Sequence, residues 1–378
     1  MNEIYLDHNA TTPLLPAVWE AMRPFLIDTY GNPASAHGAG RRARRALEDA
    51  REDTAARLGA DPGEVVFTSG ATEANNLALF GSAGQAGGHV IASPIEHPSV
   101  LEPIRQLVRR GFSVDWLPVD ASGIVSGDAL PELLRPETRL VSVMLANNET
   151  GAVQPVAQLA AQLLPGVVFH CDAAQAVGKL PVHFHALGVT TLALSAHKFH
   201  GPKGIGALLV HRDAPLTPQL FGGHQQQGRR PGTEVVALAV GLARALELAQ
   251  QEHRARQEHV LSLRRLFLES LRATASPVVL NGPTEGGLPY TLNLSFPGCR
   301  ADALLMNLDL AGVACSTGSA CSSGSLLPSP VLQAMGVPDE VLHSAMRFSL
   351  SSLLTEEEVR EAARRIAAVV NRLRQPSD

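Results

Sequence analysis

Several polar groups in this sequence stand just beyond the ends of short apolar runs, where chemistry is commonly done. After Glu64–Thr68 comes SGATEANN, small residues leading into a helical pattern. The backbone N–H groups at that helix start, around Ala71, and the Thr72 hydroxyl make a cradle for a phosphate. After His89–Ser93 comes PIEH, ending in His97, and after Arg139–Ala146 comes NNETG, beginning with Asn147. After Val167–Cys171 come Asp172 and, three residues on, Gln175; after Thr191–Leu194 comes SAHKFHGPKG, with Ser195, His197 and Lys198. Each has an ordinary structural explanation when taken alone. A strand-end aspartate often caps a helix, a lone histidine is often a satisfied surface residue, and a lone lysine is solvated. Ligands of parallel α/β sheets bind beyond the carboxyl ends of the strands, so one sheet edge would gather all of these groups.

The set meets the needs of pyridoxal 5'-phosphate. Its phosphate needs N–H and hydroxyl donors, and its aldehyde needs a lysine nitrogen for a Schiff base. Its pyridine nitrogen needs an acid that keeps it protonated. Asp172 would do this through a charge-assisted hydrogen bond, worth about 1.5–3 kcal/mol. The flat ring also needs a face to stack on, which His97 offers.

A different chemistry is marked by STGSACSSGS, Ser316–Ser325, which holds Cys321 among nine small residues. A thiol kept for packing would have bulky apolar neighbours, and this one has none. Five residues on either side reach at most ~17 Å when extended, so a tethered thiol here could both attack in a pocket and deliver at the surface. The other cysteines read differently. Cys171 falls inside a strand as a small buried hydrophobe, Cys299 reads as structural, and Cys315 lies close enough to the tether that an assisting role stays open. Four cysteines in 378 residues with no C-x-x-C pair argue against a disulfide framework or a structural zinc site. Reduced thiols and a cytoplasmic setting are the expectation.

The elements that must position these groups follow from periodicity. EVVFTS, HVIAS, RLVSVMLA, VVFHCD, TLALS and GALLVH read as strands, several apolar along their whole length as strands covered on both faces should be. LEPIRQLVRR and PVAQLAAQLL read as helices between them, the second opening on Pro155. The alternation predicts an α/β fold with a mostly parallel sheet and helices on both faces. VVALAVGLARALELAQ opens a long helical region. YTLNLSF, AMRFSLS and an amphipathic helix after Thr355 then predict a smaller α+β domain. The expected division is a large domain over 15–250 and a small one over 1–14 and 251–378. Length supports two domains. A composition of 45% hydrophobic and 18% charged residues is that of an ordinary globular chain, and the net charge of −5 argues against direct nucleic-acid binding. Arg41, Arg42, Arg44 and Arg45 read instead as a solvated helix face with Arg44–Glu48 and Arg45–Asp49 pairs, while Leu47, Ala50 and Leu58 face the core. No signal-peptide pattern opens the sequence, and no apolar run approaches the ~18 residues of a membrane span.

Nine stretches carry a resemblance: YLDHNATTP, GNPASAH, VFTSGATEANNLA, NNETGAVQP, DAAQAVGKLPV, SAHKFHGPKGIGAL, RRPGT, STGSACSSG and MRFSLS, in this order. They are similar to the NifS/IscS-like cysteine desulfurases, pyridoxal-phosphate enzymes of the class V aminotransferase superfamily and fold type I. The resemblance implies Lys198 as the cofactor-bound lysine and proton shuttle, Asp172 as partner of the ring nitrogen, and Gln175 as donor to the ring hydroxyl. It implies His97 as the stacking histidine, with Thr72, Ser195 and His197 on the phosphate. Thr233 would reach the phosphate of a second copy in a homodimer. Asn147 would lie near ring and substrate, Arg347 would clamp the substrate carboxylate, and Cys321 would be the nucleophile.

The implied reaction converts L-cysteine to L-alanine and leaves a persulfide on Cys321. The sulfur would then pass to an acceptor protein such as an iron–sulfur scaffold or a tRNA-thiolation protein. No stable metal site is implied, although Cys321 could transiently ligate a nascent iron–sulfur cluster. Two stretches depart from the family pattern: GGHQQQG at Gly222–Gly228, and SLLPSP at Ser325–Pro330, with Leu327 where relatives usually carry Glu. Both bear on docking or on closure of the cysteine segment. Selenocysteine lyase or another class V aminotransferase-like activity remains the alternative within the fold, although an aminotransferase has no use for a loop cysteine. A non-catalytic scaffold using the Arg41–Arg45 cluster is the alternative outside it, and the Lys198–Asp172–His97 set argues against that.

Overall fold

A computed structural model describes residues 2–84, 87–318 and 328–375. Its strands are β1 (Ile4–Tyr5), β2 (Val65–Thr68), β3 (Gly88–Ala92), β4 (Phe112–Trp116), β5 (Thr138–Ser142), β6 (Val168–Asp172), β7 (Thr191–Ser195) and β8 (Gly206–Val210), followed by β9 (Val279–Asn281), β10 (Thr291–Ser295), β11 (Val313–Ala314) and β12 (Ala345–Ser349). Seven of them form one sheet in the order β2-β8-β7-β6-β5-β3-β4. Only β8 runs against its neighbours. The carboxyl ends of β2, β3, β5, β6 and β7 therefore share one edge, which is the arrangement the site needs.

The continuous apolar runs become the covered strands. Every residue of β6, β7 and β8 is buried. β4 was not legible as a strand because only Phe112 of its five residues is buried and Trp116 is exposed. One close approach fixes the sheet beside the site. A Cβ on Gly206 would lie 2.4 Å from the Leu194 carbonyl oxygen and 2.8 Å from Gly70 Cα. Only glycine lets β8 run beneath the turn that follows β2.

A second, antiparallel sheet has the order β12-β10-β9. It packs on the helices His253–Thr274 and Glu356–Leu373. Phe348 is the centre of this core, edge-on to Phe267 at 5.4 Å and to Phe296 at 6.3 Å between centroids. β1 pairs with β11, and residues beyond it run back to the first sheet.

Two local expectations differ from the structure. Residues after Ser142 leave the sheet and bend, Ala146 bridging Val153, and the helix following Pro155 is short, Val156–Ala160. Within the helix Gly38–Leu58, Arg45 does pair with Asp49 at 3.9 Å, and Leu47, Ala50 and Leu58 are buried. Glu48, however, takes Arg51 at 3.0 Å, and Arg44 donates to the Pro33 carbonyl instead. Among the described residues no helix is long and apolar enough to cross a membrane.

Candidate active site

At the shared strand edge lies a cavity of about 420 Å³ lined by Ala71, Thr72, His97, Asp172, Gln175, Ser195, His197 and Lys198, among others. Eight of the sequence-predicted residues thus meet in one place, delivered by the carboxyl ends of four strands, β2, β3, β6 and β7, and the turns that follow them. The helix Ala71–Ser82 starts at Gly70 with no side-chain cap, so its first N–H groups are left for a ligand. Glu73, in that first turn, is drawn off by Arg230 at 2.8 Å and by the Ser69 N–H at 2.7 Å.

Asp172 ends β6, buried, and its two oxygens are fixed separately. Oδ1 accepts from the Ala174 N–H at 2.9 Å and Oδ2 from Asn75 Nδ2 at 2.7 Å. Asn75 in turn bonds His170 Nε2 at 3.0 Å, and His170 Nδ1 meets Thr191 Oγ1 at 2.9 Å. This chain orients the carboxylate from behind. His97 Nδ1 is held by Ser99, 2.8 Å from its hydroxyl. Burial lowers the His97 pKa, Lys198 and Arg347 lower it further, and Asp172 opposes them; the ring is neutral and flat-faced at pH 7. Lys198 Nζ donates to the Asn9 carbonyl at 2.6 Å and the Ala10 carbonyl at 2.9 Å.

Three predicted residues lie off the cavity wall. Asn147 is fully buried behind it: its Oδ1 accepts from the Glu149 and Thr150 N–H groups and its Nδ2 donates to the Ile95 carbonyl. Asn148 lines the wall instead. Thr233 is exposed and away from the cavity of its own chain. Arg347, on β12, reaches the wall through Asn148, whose carbonyl accepts Nη1 at 3.3 Å, and Nη2 pairs with Asp7 at 2.8 Å. Its Nε is buried and has no hydrogen-bond partner among the described residues. Cys321 lies outside the described residues, as do Ser325, Leu326 and Leu327 of the Ser325–Pro330 departure. Ser316, five residues before Cys321, bridges Arg347 through both backbone bonds. Cys315 is half-buried, and burial pushes its thiol up to about 12, with Asp7 and Asp309 adding. Such a thiol is almost wholly protonated at pH 7 and a poor nucleophile.

Sequence reasoning missed Asn9, Asn75, Glu96 and Lys179. Asn9 was visible inside YLDHNATTP, but nothing in its neighbours says that it touches residues 166 and 189 positions away. Glu96 precedes His97; burial, then Asp172, raises its pKa well above the carboxylate range, and its Oε1 accepts from the Met144 N–H at 2.6 Å.

Buried imidazoles also give the fold a pH dependence. Burial is the largest cause in each case: it lowers His8 to about 3 and His170, His197 and His200 to about 4, from 6.5. Their folded values lie below their unfolded ones, so the unfolded chain binds more protons below pH 6.5. Their contribution is complete above about pH 6.5 and is lost as pH falls toward 4. Urea midpoints of the cofactor-free protein are therefore expected to fall progressively across that interval. A midpoint that stayed level would contradict these assignments.

The residues present fit pyridoxal phosphate on their chemistry: uncapped helix N–H groups and hydroxyls for an anion, a backed carboxylate for a ring nitrogen, and an amine between them. A seven-stranded sheet with such a site at its carboxyl edge, joined to a small antiparallel sheet, defines the class of fold type I pyridoxal-phosphate enzymes. Comparison with known proteins agrees. The family model for aminotransferase class-V matches residues 4–361. A cysteine desulfurase IscS from Dictyoglomus turgidum is 44% identical over 376 residues, covering 98% of this chain and 95% of that one. A solved NifS-like protein superposes with a TM-score of 0.92 at 38% identity, covering 98% of this chain and 99% of that one. A structure described as SspA in complex with cysteine gives 0.82 at 35% identity, covering 93% and 99%. The chain belongs to the class V aminotransferase family and, within it, to the cysteine desulfurases of the NifS/IscS type.

Proposed function

We propose that the chain works as a pyridoxal-phosphate-dependent cysteine desulfurase that converts L-cysteine to L-alanine and receives the sulfur as a persulfide on Cys321. The observation that carries this is the meeting of Lys198 and Asp172 in one cavity with an uncapped helix start. When bound, the cofactor draws electrons from the α-carbon of an attached amino acid and makes its proton acidic. Ala71 and Thr72 with Ser195 and His197 would hold the phosphate, Asp172 the ring nitrogen, Gln175 the ring hydroxyl and His97 the ring face. Lys198 takes the Cα proton and returns one.

Arg347 clamps the substrate carboxylate. Its orphaned Nε is a buried donor awaiting an acceptor, and leaving it unmet costs about 1–3 kcal/mol. Asn147 acts from behind, by shaping the loop that presents Asn148. The Cys321 thiolate attacks the substrate sulfur. A sulfur–sulfur bond forms as the carbon–sulfur bond breaks, and the electron pair stays with the three-carbon remnant, which is protonated and leaves as alanine.

The persulfide then goes to an acceptor protein, an iron–sulfur scaffold or a tRNA-thiolation protein. A homodimer completes the site, with Thr233 of each chain serving the other's phosphate. Phe221 at 92% and Tyr30 at 82% exposure favour a second copy that covers them, since aromatic side chains are enriched at interfaces. We place the large domain at 15–250 and the small one at 1–14 and 251–378, in accord with two separate apolar cores. A reducing cytoplasmic setting accords with free Cys171, Cys299 and Cys315.

The test is stoichiometric. Holoenzyme given L-cysteine without reductant is expected to form one alanine per Cys321 persulfide in the first turnover, read by mass spectrometry of the Cys321 peptide. Alanine from selenocysteine but not from cysteine would favour the lyase.

A further inference from the structure

Lys179 is an amine that the reaction above does not use, and it is buried in the floor beside the cavity, 5% exposed. Placing a lysine there is costly, and an apolar residue would serve a core better. Its Nζ donates to Gln175 Oε1 at 2.7 Å and Asn9 Oδ1 at 2.9 Å, and stands 5.7 Å from the centroid of the Tyr290 ring. Both acceptors lead to Lys198. Because Gln175 Oε1 faces Lys179, its Nε2 faces the other way and donates to the Asn9 carbonyl at 2.9 Å. That same carbonyl accepts Lys198 Nζ at 2.6 Å. Asn9 is tied down on its remaining sides: Nδ2 donates to Thr291 Oγ1 at 2.8 Å and the Asn148 carbonyl at 3.0 Å, and its N–H to Ser349 Oγ at 2.9 Å.

We propose that Lys179 is a positioning residue for proton transfer at Lys198: by holding the Gln175 amide and the Asn9 side chain, it fixes the carbonyl on which the Lys198 amine rests when released from the cofactor. The proposal rests on Lys198 being the reactive amine. Without Lys179, the Gln175 amide loses the donor that sets its orientation. Turned over, it would put Oε1 against the Asn9 carbonyl, two acceptors face to face, and the resting place of Lys198 would shift. Two carbonyls suit an amine that has just taken a proton, since an ammonium has only donors. Burial pushes the Lys179 pKa well down, and Lys198 and Arg347 add to it; so deep an amine is held by its two acceptors rather than by water.

The experiment compares full-length holoenzyme with Lys179→Met and Lys179→Arg. Borohydride reduction and peptide mapping locate the cofactor-bearing lysine, and turnover is measured with ordinary and α-deuterated L-cysteine. The mark is expected at Lys198 in all three proteins, with unchanged cofactor content. Lys179→Met is expected to lose roughly ten- to a hundredfold in kcat, the size of effect a 1 Å misplacement produces. Its KM should change little and its deuterium isotope effect should rise, because proton transfer becomes limiting. Lys179→Arg, which keeps the donors, recovers part of the loss. A mark at Lys198 with parental kcat and isotope effect in Lys179→Met overturns the proposal alone. So does a fall in kcat fully explained by lost cofactor. A mark on Lys179, or anywhere but Lys198, overturns the reading of Lys198 and the proposal with it. Should Lys179→Met not fold, Lys179→Gln, which leaves a polar group for the two oxygens but cannot span them, carries the same expectations.

Discussion

Replacing Lys198 with alanine is expected to remove the yellow colour of the purified protein and to lower alanine formation from cysteine by at least about a thousandfold. Two losses combine. The covalent anchor of the cofactor goes, and so does the base that moves the Cα proton, a function worth roughly 10²–10⁴-fold on its own. The fold should survive. Lys198 is partly exposed at the cavity wall, and its bonds run to two backbone carbonyls of the Asn9–Ala10 segment that other contacts already hold. Far-UV circular dichroism and a urea midpoint near the parental value would show this. A variant that kept both colour and turnover would move the chemistry elsewhere; Lys203, which lines the same cavity, and Lys179 behind it would then be the amines to examine.

Replacing Cys321 with serine separates the two halves of the reaction. The variant is expected to bind cofactor, turn yellow and change its spectrum on addition of cysteine, because none of the residues gathered in the cavity is altered. It should release no sulfide and carry no persulfide. An alcohol at pH 7 is far weaker as a nucleophile than a thiol with even a few per cent of thiolate. The other thiols offer no substitute. Cys171 is fully buried with a raised pKa, Cys299 is buried with a raised pKa, and Cys315 is held up at about 12. Normal sulfide release from Cys321→Ser would show that the nucleophile is another group.

Much of the cavity could be read from the sequence because a parallel sheet concentrates function at strand ends. Asp172 and Ser195 follow directly on an apolar run, and His97 and Lys198 within four residues of one, so locating the run locates the residue. The same logic failed where the chain leaves that rule. Asn147 follows such a run, yet β5 ends early at Ser142, and the extra bend turns Asn147 inward and brings Asn148 to the wall. β4 was missed because a half-exposed strand lacks the uninterrupted apolar signature of a covered one. Asn9, Asn75 and Lys179 act through long-range hydrogen bonds, which leave no local periodicity. A polar residue that supports a site from behind looks in sequence like any other polar residue. Arg44 illustrates the converse, since helical spacing offered it Glu48, but a backbone carbonyl from another segment and a second arginine decided otherwise.

The segment from Leu6 to Thr12 has one mechanical implication. Its beginning is fastened to the small sheet, through Leu6 on Ala314 and Ser349 and through Asn9 on the Ser349 hydroxyl. Its end is fastened to the His197 carbonyl by both the N–H and the hydroxyl of Thr12. It is a tie-bar between two bodies, and the perch of the Lys198 amine lies midway along it. A shift of either body along this segment tugs that perch, so strain applied to either one reaches the Lys198 amine.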